Sequence, residues 1–356
     1  MTAKPIHHYL KWLLLPLGIL HLGIVWLRNR LYDAGIFKAR RLPRPVISVG
    51  NIQMGGSGKT PLALELLDWL QEEGLKVGVL TRGYKRSSRE NRVLRPGGES
   101  DAAVRQIGDE PALICQKLRA GGALGVGAHR YEVGLELLRR QEVDVFLLDD
   151  GFQHRRLHRD LDICLIDVSR WAEHPFLFPF SYLRDAKASL RRAGAILLAK
   201  FENCPEKAET LKSRLEKAYP APVLKTGFIF HALARLADGE PHDPGEIKSQ
   251  PVAAVCGIAN PEHFWGMLER EGFRIAYRKA FPDHHDYSLQ EMRDLEKAAA
   301  QAGARGVLVT EKDAVKLRAH LSKMPELNEK VWVFGVRVRV AEAERLRELL
   351  KSIIQR

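Results

Sequence analysis

Only four cysteines occur in 356 residues, Cys115, Cys164, Cys204 and Cys256, and no two form a C-x-x-C pair. That excludes a disulfide framework and a cysteine-based zinc site, and thiols standing singly in or beside apolar runs fit a reducing cytosol. The chain has no internal repeat and no low-complexity segment. No helix-turn-helix, zinc-finger or RNA-binding aromatic signature accompanies basic pairs such as Arg155-Arg156 and Arg191-Arg192, so no nucleic-acid partner is expected. Acid is scarce relative to base: 44 Asp and Glu against 56 Lys and Arg leave a net charge of +12. Such an excess points to an anionic partner, whether nucleic acid, phospholipid surface or phosphorylated substrate, without choosing among them. The 45% hydrophobic and 28% charged content is that of an ordinary globular chain, and its length suggests two domains.

What is present begins with Trp12–Leu27, an apolar stretch broken only by Pro16, His21 and two glycines. As a helix its sixteen residues would span about 24 Å, short of the roughly 30 Å hydrocarbon core. Arg28, Arg30, Lys38, Arg40, Arg41 and Arg44 follow as a collar suited to anionic headgroups, and no small-x-small cleavage site follows. The segment therefore reads as a membrane-inserted or monotopic anchor, and the expected partner is a membrane surface.

Behind it, Pro45-Val-Ile-Ser-Val-Gly-Asn-Ile-Gln-Met-Gly-Gly-Ser-Gly-Lys-Thr-Pro61 runs from a β-type stretch through a glycine-rich turn into a helix. This is the order required of a phosphate-binding loop. Gly55, Gly56, Ser57 and Gly58 would turn backbone N–H groups toward one anion, Lys59 would reach the β- and γ-phosphates of ATP, and Thr60 would meet Mg²⁺. One position departs from G-x-x-x-x-G-K-[ST]: its first glycine is Gln53.

Strand and helix then alternate, which predicts a mostly parallel sheet covered on both faces. Strands are expected at Val46–Val49, Val77–Leu80, Ala123–Val126, Val143–Leu148, Ile163–Asp167 and Ala195–Ala199, with helices Leu62–Glu73, Glu110–Arg119 and Glu132–Arg140 between them. Turn residues cluster at Gly239–Gly245. Beyond them a second set is expected: strands Val252–Cys256, Gly306–Thr310 and Val331–Val336, helices Pro261–Glu271 and Leu289–Ala302, and a final helix near Ala341–Ile354. The resulting division is an anchor and collar over 1–41, a nucleotide-binding core over 42–238 and a smaller α/β domain over 239–356, with the active site between the last two.

The strand ending in Asp149-Asp150 has a Walker B arrangement, with Asp149 placed to meet Mg²⁺ and Asp150 to contact the metal or orient a second charge. Arg82 and Tyr84 offer a cation and a ring to an anionic sugar or phosphate. Asp109 and Glu110 open a helix, where they either cap it or do chemistry. In Asp283-His284-His285-Asp286 an imidazole assisting a carboxylate base is a better use than a metal site, since adjacent histidines on one turn point apart. Thr310-Glu-Lys-Asp313 lacks the asparagine of a guanine-recognition motif, which argues against a GTPase.

In order along the chain, Gly55-Gly-Ser-Gly-Lys-Thr-Pro61, Arg82-Gly-Tyr84, Gly108-Asp-Glu-Pro111, Asp149-Asp-Gly-Phe-Gln-His154, Cys256-Gly-Ile-Ala-Asn-Pro261, Asp283-His-His285 and Thr310-Glu-Lys-Asp313 resemble the tetraacyldisaccharide 4'-kinase family. The resemblance implies a P-loop NTPase-like α/β fold and a kinase. Such an enzyme moves the γ-phosphate of ATP to the 4'-hydroxyl of an acylated glucosamine disaccharide 1-phosphate at the cytoplasmic side of the inner membrane. It further implies Asp109 as catalytic base with His284 assisting, Lys59 and Thr60 on phosphate and Mg²⁺, and Asp149 and Asp150 at the metal and catalytic acid positions. Arg184 and Asp185 match a family substrate segment whose Gly-Pro is replaced here by Ser181-Tyr182. The rival expectation is a membrane-tethered ATPase switch that acts on a protein.

Overall fold

The structure is a computed structural model and describes residues 12–83, 90–96, 107–321 and 324–355. Its strands are β1 (Val46–Asn51), β2 (Val77–Thr81), β3 (Arg92–Leu94), β4 (Ala123–Val126), β5 (Val145–Asp149), β6 (Leu161–Asp167), β7 (Ala195–Ala199), β8 (Val223–Arg235), β9 (Pro241–His242), β10 (Pro251–Cys256), β11 (Arg274–Ala280), β12 (Gly306–Thr310) and β13 (Val331–Val340). Among the described residues they form one sheet in the order β11-β10-β12-β13-β8-β7-β6-β1-β5-β2-β4-β3, with β9 on β8. Strands β1, β2, β5, β6 and β7 are buried along their whole length, as the continuous Val, Ile and Leu runs require of parallel strands covered on both faces.

β8 was not foreseen, and it decides the architecture. It pairs parallel with β7 through Ile196↔Val223 and antiparallel with β13 through Trp332↔Arg235. Both halves of the chain therefore share it, and the division expected near residue 239 falls just past its end. The last helix, Ala343–Ile354, returns to the first half, where Leu346, Leu350 and Ile353 join the core built by Leu66, Trp69 and Leu70. Other elements also escaped the sequence, among them the edge strands β3 and β11, whose residues are mostly half-buried or exposed, helix Pro205–Ala218, and helix Glu311–Leu321, which opens in the Thr310–Asp313 motif.

The amino-terminal helix spans Leu15–Asp33 and buries only Gly18, Val25 and Asn29. At Gly18 an added Cβ would lie 2.9 Å from Phe180 Cβ and 3.0 Å from the Leu177 carbonyl, so the helix backbone rests directly on that loop. Asn29 Nδ2 donates to Asp185 Oδ1 and Ser189 Oγ, both at 3.1 Å. On the outer face Trp12, Leu13, Leu17, Leu20, Ile24 and Trp26 are each more than half exposed. Among the described residues no helix is long and apolar enough to cross a membrane. Asn29→Ala should cost about 1–3 kcal/mol, because it withdraws a donor from a buried carboxylate. An unchanged midpoint in chemical denaturation would show that this contact does not hold the helix.

Candidate active site

β1 delivers the chain into the phosphate loop, and helix Lys59–Glu72 leaves it. Gly55 and Gly58 sit at φ +95° and +88°, conformations that side chains rarely adopt, and a Cβ on Gly58 would also meet the Phe228 ring at 2.9 Å. Gln53 explains its own departure from the motif. Its Oε1 accepts from the Asp167 N–H at 2.7 Å and its Nε2 donates to the Asp167 carbonyl at 3.1 Å, stitching the loop to the end of β6. Loop carbonyls are turned toward cations: Lys200 Nζ donates to Gly56 O at 2.9 Å, and Arg170 Nη1 to Met54 O at 3.3 Å. Lys200, held at φ +58° and ion-paired with Asp167 at 2.6 Å, went unnoticed in the sequence because its partners lie at distant positions.

At the end of β5 the two aspartates face different surroundings. Asp149, in register with Val49 of β1, is buried, and its Oδ1 has no hydrogen-bond partner. Burial, then the charges of Glu110 and Asp150, push its carboxyl up to about 7. Asp150, at φ +50°, accepts from both terminal nitrogens, Nη1 and Nη2, of Arg184 and lies 3.9 Å from Lys59 Nζ. Burial opposes its charge, but Lys59 and Arg184 outweigh burial and hold it at about 2. Arg130, buried at the start of helix Arg130–Arg140, acts on both aspartates and was also missed. His154 is pushed down to about 3 by burial and by the Arg130 and Arg159 charges, so it is neutral.

Asp109 is the first residue of helix Asp109–Lys117. His284, from the other half of the chain and at φ +64°, places Nδ1 3.0 Å from Asp109 Oδ2 and 3.1 Å from Oδ1. Lys312 Nζ lies 3.7 Å and Lys316 Nζ 3.4 Å from the same carboxylate, and Lys312 Nζ is 3.3 Å from His284 Nε2. Burial opposes the Asp109 charge, but the His284 hydrogen bond and the two lysines hold the carboxyl well below the usual carboxylate range. Its neighbour Glu110 is close enough to raise Asp149, which ties this pair electrostatically to the phosphate side.

The Thr310–Asp313 motif has a structural use that the sequence did not disclose. Asp313 is fully buried and accepts from Gly257 N, Tyr287 Oη at 2.8 Å and Thr310 Oγ1 at 2.7 Å. Since His284 N in turn donates to Gly257 O at 3.2 Å, Asp313 fixes the loop that carries the histidine. His285 points elsewhere, stacking on Phe281 and placing Nε2 3.0 Å from Glu291. Lys312→Met should raise the acid limb of the kcat/KM profile by about one pH unit, since it removes a cation that favours the Asp109 anion. A limb that stays in place would detach Lys312 from that carboxylate.

Two expected substrate contacts need restating. Asp185 is fully buried and spends its carboxylate on Asn29, Ser189 Oγ and the Ala186 N–H, so it braces the amino-terminal helix instead of facing outward. Arg82 is exposed, and Tyr84 lies outside the described residues. No group of three or more His, Cys, Asp or Glu among the described residues could hold a metal unaided.

A family described as tetraacyldisaccharide-1-P 4'-kinase matches residues 10–355. A tetraacyldisaccharide 4'-kinase of Desulfotalea psychrophila is 36% identical over 333 residues, covering 91% of this chain and 92% of the relative. One of Geobacter sulfurreducens is 37% identical over 303 residues, covering 85% and 82%. Among solved structures, LpxK from Aquifex aeolicus in complex with ATP superposes with a TM-score of 0.78 at 32% identity, covering 97% of this chain and 99% of that one.

Proposed function

The chain belongs to the tetraacyldisaccharide-1-P 4'-kinase family and is an ATP-dependent kinase of lipid A biosynthesis, and we propose how its residues carry out the transfer. The loop Gly55–Thr60 binds the triphosphate, with Lys59 on the β- and γ-phosphates. The disaccharide lipid brings its 4'-hydroxyl to Asp109, which accepts the proton as the hydroxyl oxygen attacks the γ-phosphorus and ADP leaves. His284 orients the carboxylate and shares the proton. The observation that carries this reading is the Asp109–His284 pair at 3.0 Å, contributed by opposite halves of the chain and electrostatically linked to the phosphate side.

The residues fit Mg²⁺. A buried carboxylate oxygen of Asp149 without a partner, at a strand end where the Lys59 charge reaches it, suits a hydrated divalent cation better than a solitary anion. Thr60 and Asp149 would hold the ion, which when bound neutralises charge on the triphosphate. Arg184 neutralises Asp150, keeping that side chain fixed beside Lys59. The exposed apolar face of helix Leu15–Asp33 supports attachment to the cytoplasmic surface of the inner membrane, where the acyl chains of the acceptor reside.

The test is direct: protein in mild detergent with Mg·ATP and the acylated disaccharide 1-phosphate should yield a lipid bisphosphate, and EDTA should abolish it. ATP turnover that ignores the lipid and instead responds to a protein would overturn the reading in favour of a switch.

A further inference from the structure

Away from the phosphate loop, where helix Leu15–Asp33 ends, the fold leaves a cavity of about 480 Å³. Phe37, Lys38, Arg155, Arg159 and Arg192 line it, with Asp162 as the one carboxylate among its lining residues. The cations are unequally committed. Arg159 is locked on Asp162 at 2.8 Å, and Arg155 donates to the Asn29 carbonyl and to Asp33 Oδ1 at 2.7 Å. Arg192 Nη2 donates to the Phe152 carbonyl at 3.3 Å and stands 3.5 Å from Asp185, while Nε is buried with no hydrogen-bond partner. Burial lowers its pKa from the usual guanidinium range against the opposing Asp185 charge, and the group stays cationic. Lys38 is exposed and has no ion-pair or hydrogen-bond partner among the described residues. The cavity thus holds more positive charge than its own carboxylate balances.

Its rim is apolar. Ile36 is 65% and Phe37 43% exposed, and the helix that ends just before them carries exposed Ile24, Trp26 and Leu27. A cationic concavity with an exposed apolar residue in its lining, close in sequence to an apolar helix face, suits an anionic headgroup at a bilayer surface.

We propose that this cavity binds the phosphate of an anionic bilayer phospholipid and so fixes how the protein sits on the membrane. The inference rests on the membrane-surface reading above, and it is separable from it. Lys38 is the cavity cation with no partner among the described residues, so Lys38→Glu is the probe, and Arg44→Glu, at an exposed collar residue outside the cavity lining, makes the same charge change.

Sedimentation with phosphatidylcholine vesicles, with and without phosphatidylglycerol, reads the result at about 0.15 M salt. Wild type should prefer the anionic vesicles, Lys38→Glu should weaken that binding about tenfold, and Arg44→Glu no more than about threefold. Both variants should bind pure phosphatidylcholine like wild type. Equal losses in the two variants would reduce the site to a diffuse basic collar and overturn the proposal. So would equal wild-type binding to both vesicle types, or full displacement by inorganic phosphate, which would mark a free-phosphate site. A raised KM for the disaccharide 1-phosphate in phospholipid-free micelles, with vesicle binding intact, would reassign the cavity to the acceptor's own phosphate. Failure of wild type to bind either vesicle would refute the membrane reading itself.

Discussion

Lys59→Ala should lower kcat/KM for ATP by about 10³-fold or more while leaving the denaturation midpoint near that of wild type. The asymmetry follows from where the side chain stands. Lys59 opens its helix beside the phosphate loop, 3.9 Å from Asp150, and belongs to none of the apolar clusters. Folding loses little because Arg184 still neutralises Asp150. In the proposed mechanism, transfer loses the cation that meets charge moving between the β- and γ-phosphates. Lys59→Arg should rescue poorly, since a planar fork cannot stand in for a compact ammonium inside a closed loop. Steady-state kinetics at saturating Mg·ATP decide the matter, and turnover within tenfold of wild type would remove Lys59 from the phosphate site.

Asp109→Ala and His284→Ala should each cost about 10²-fold or more in kcat with a modest change in KM for ATP. The side chains touch at 3.0 Å and are nearly buried, and both lysines act on the same carboxylate. Asp109 on its own is a weak base, because the surrounding cations favour its anion. In the proposed transfer, the imidazole gives the pair somewhere to pass the proton. If the two work as a unit, the double variant should lose little beyond the worse single one. His285→Ala should be nearly silent in kcat, as His285 is occupied with Phe281 and Glu291. Multiplying losses, or damage from His285→Ala with His284→Ala silent, would dissolve the assignment.

Signals confined to a few consecutive residues were legible in the sequence. The phosphate loop, the Asp149-Asp150 strand end and the buried parallel strands announce themselves through apolar runs and glycine spacing. The pairing of Asp109 with His284 did not come from local pattern, since nothing near either residue requires the other. Only resemblance to a family suggested it. Lys200, Lys312 and Arg130 stayed hidden because a lysine or arginine reads as solvated until its distant partners are known. β8 was lost for another reason: Lys225, Thr226 and His231 interrupt its apolar run, and its first residues serve one neighbour strand while the rest serve another. β11 is an exposed edge strand with too little apolar content to register.

The sharing of β8 has a mechanical consequence. Two lobes joined by a linker can swing as rigid bodies, but here the lobes are welded along a common beam, with Ile196↔Val223 on one side and Trp332↔Arg235 on the other. A swing would have to break ladder hydrogen bonds or twist the whole sheet. His284, which follows β11, and Asp109, which precedes β4, are therefore brought together across one continuous sheet. Stiffness of that kind favours a site assembled in advance over one built by lobe rotation.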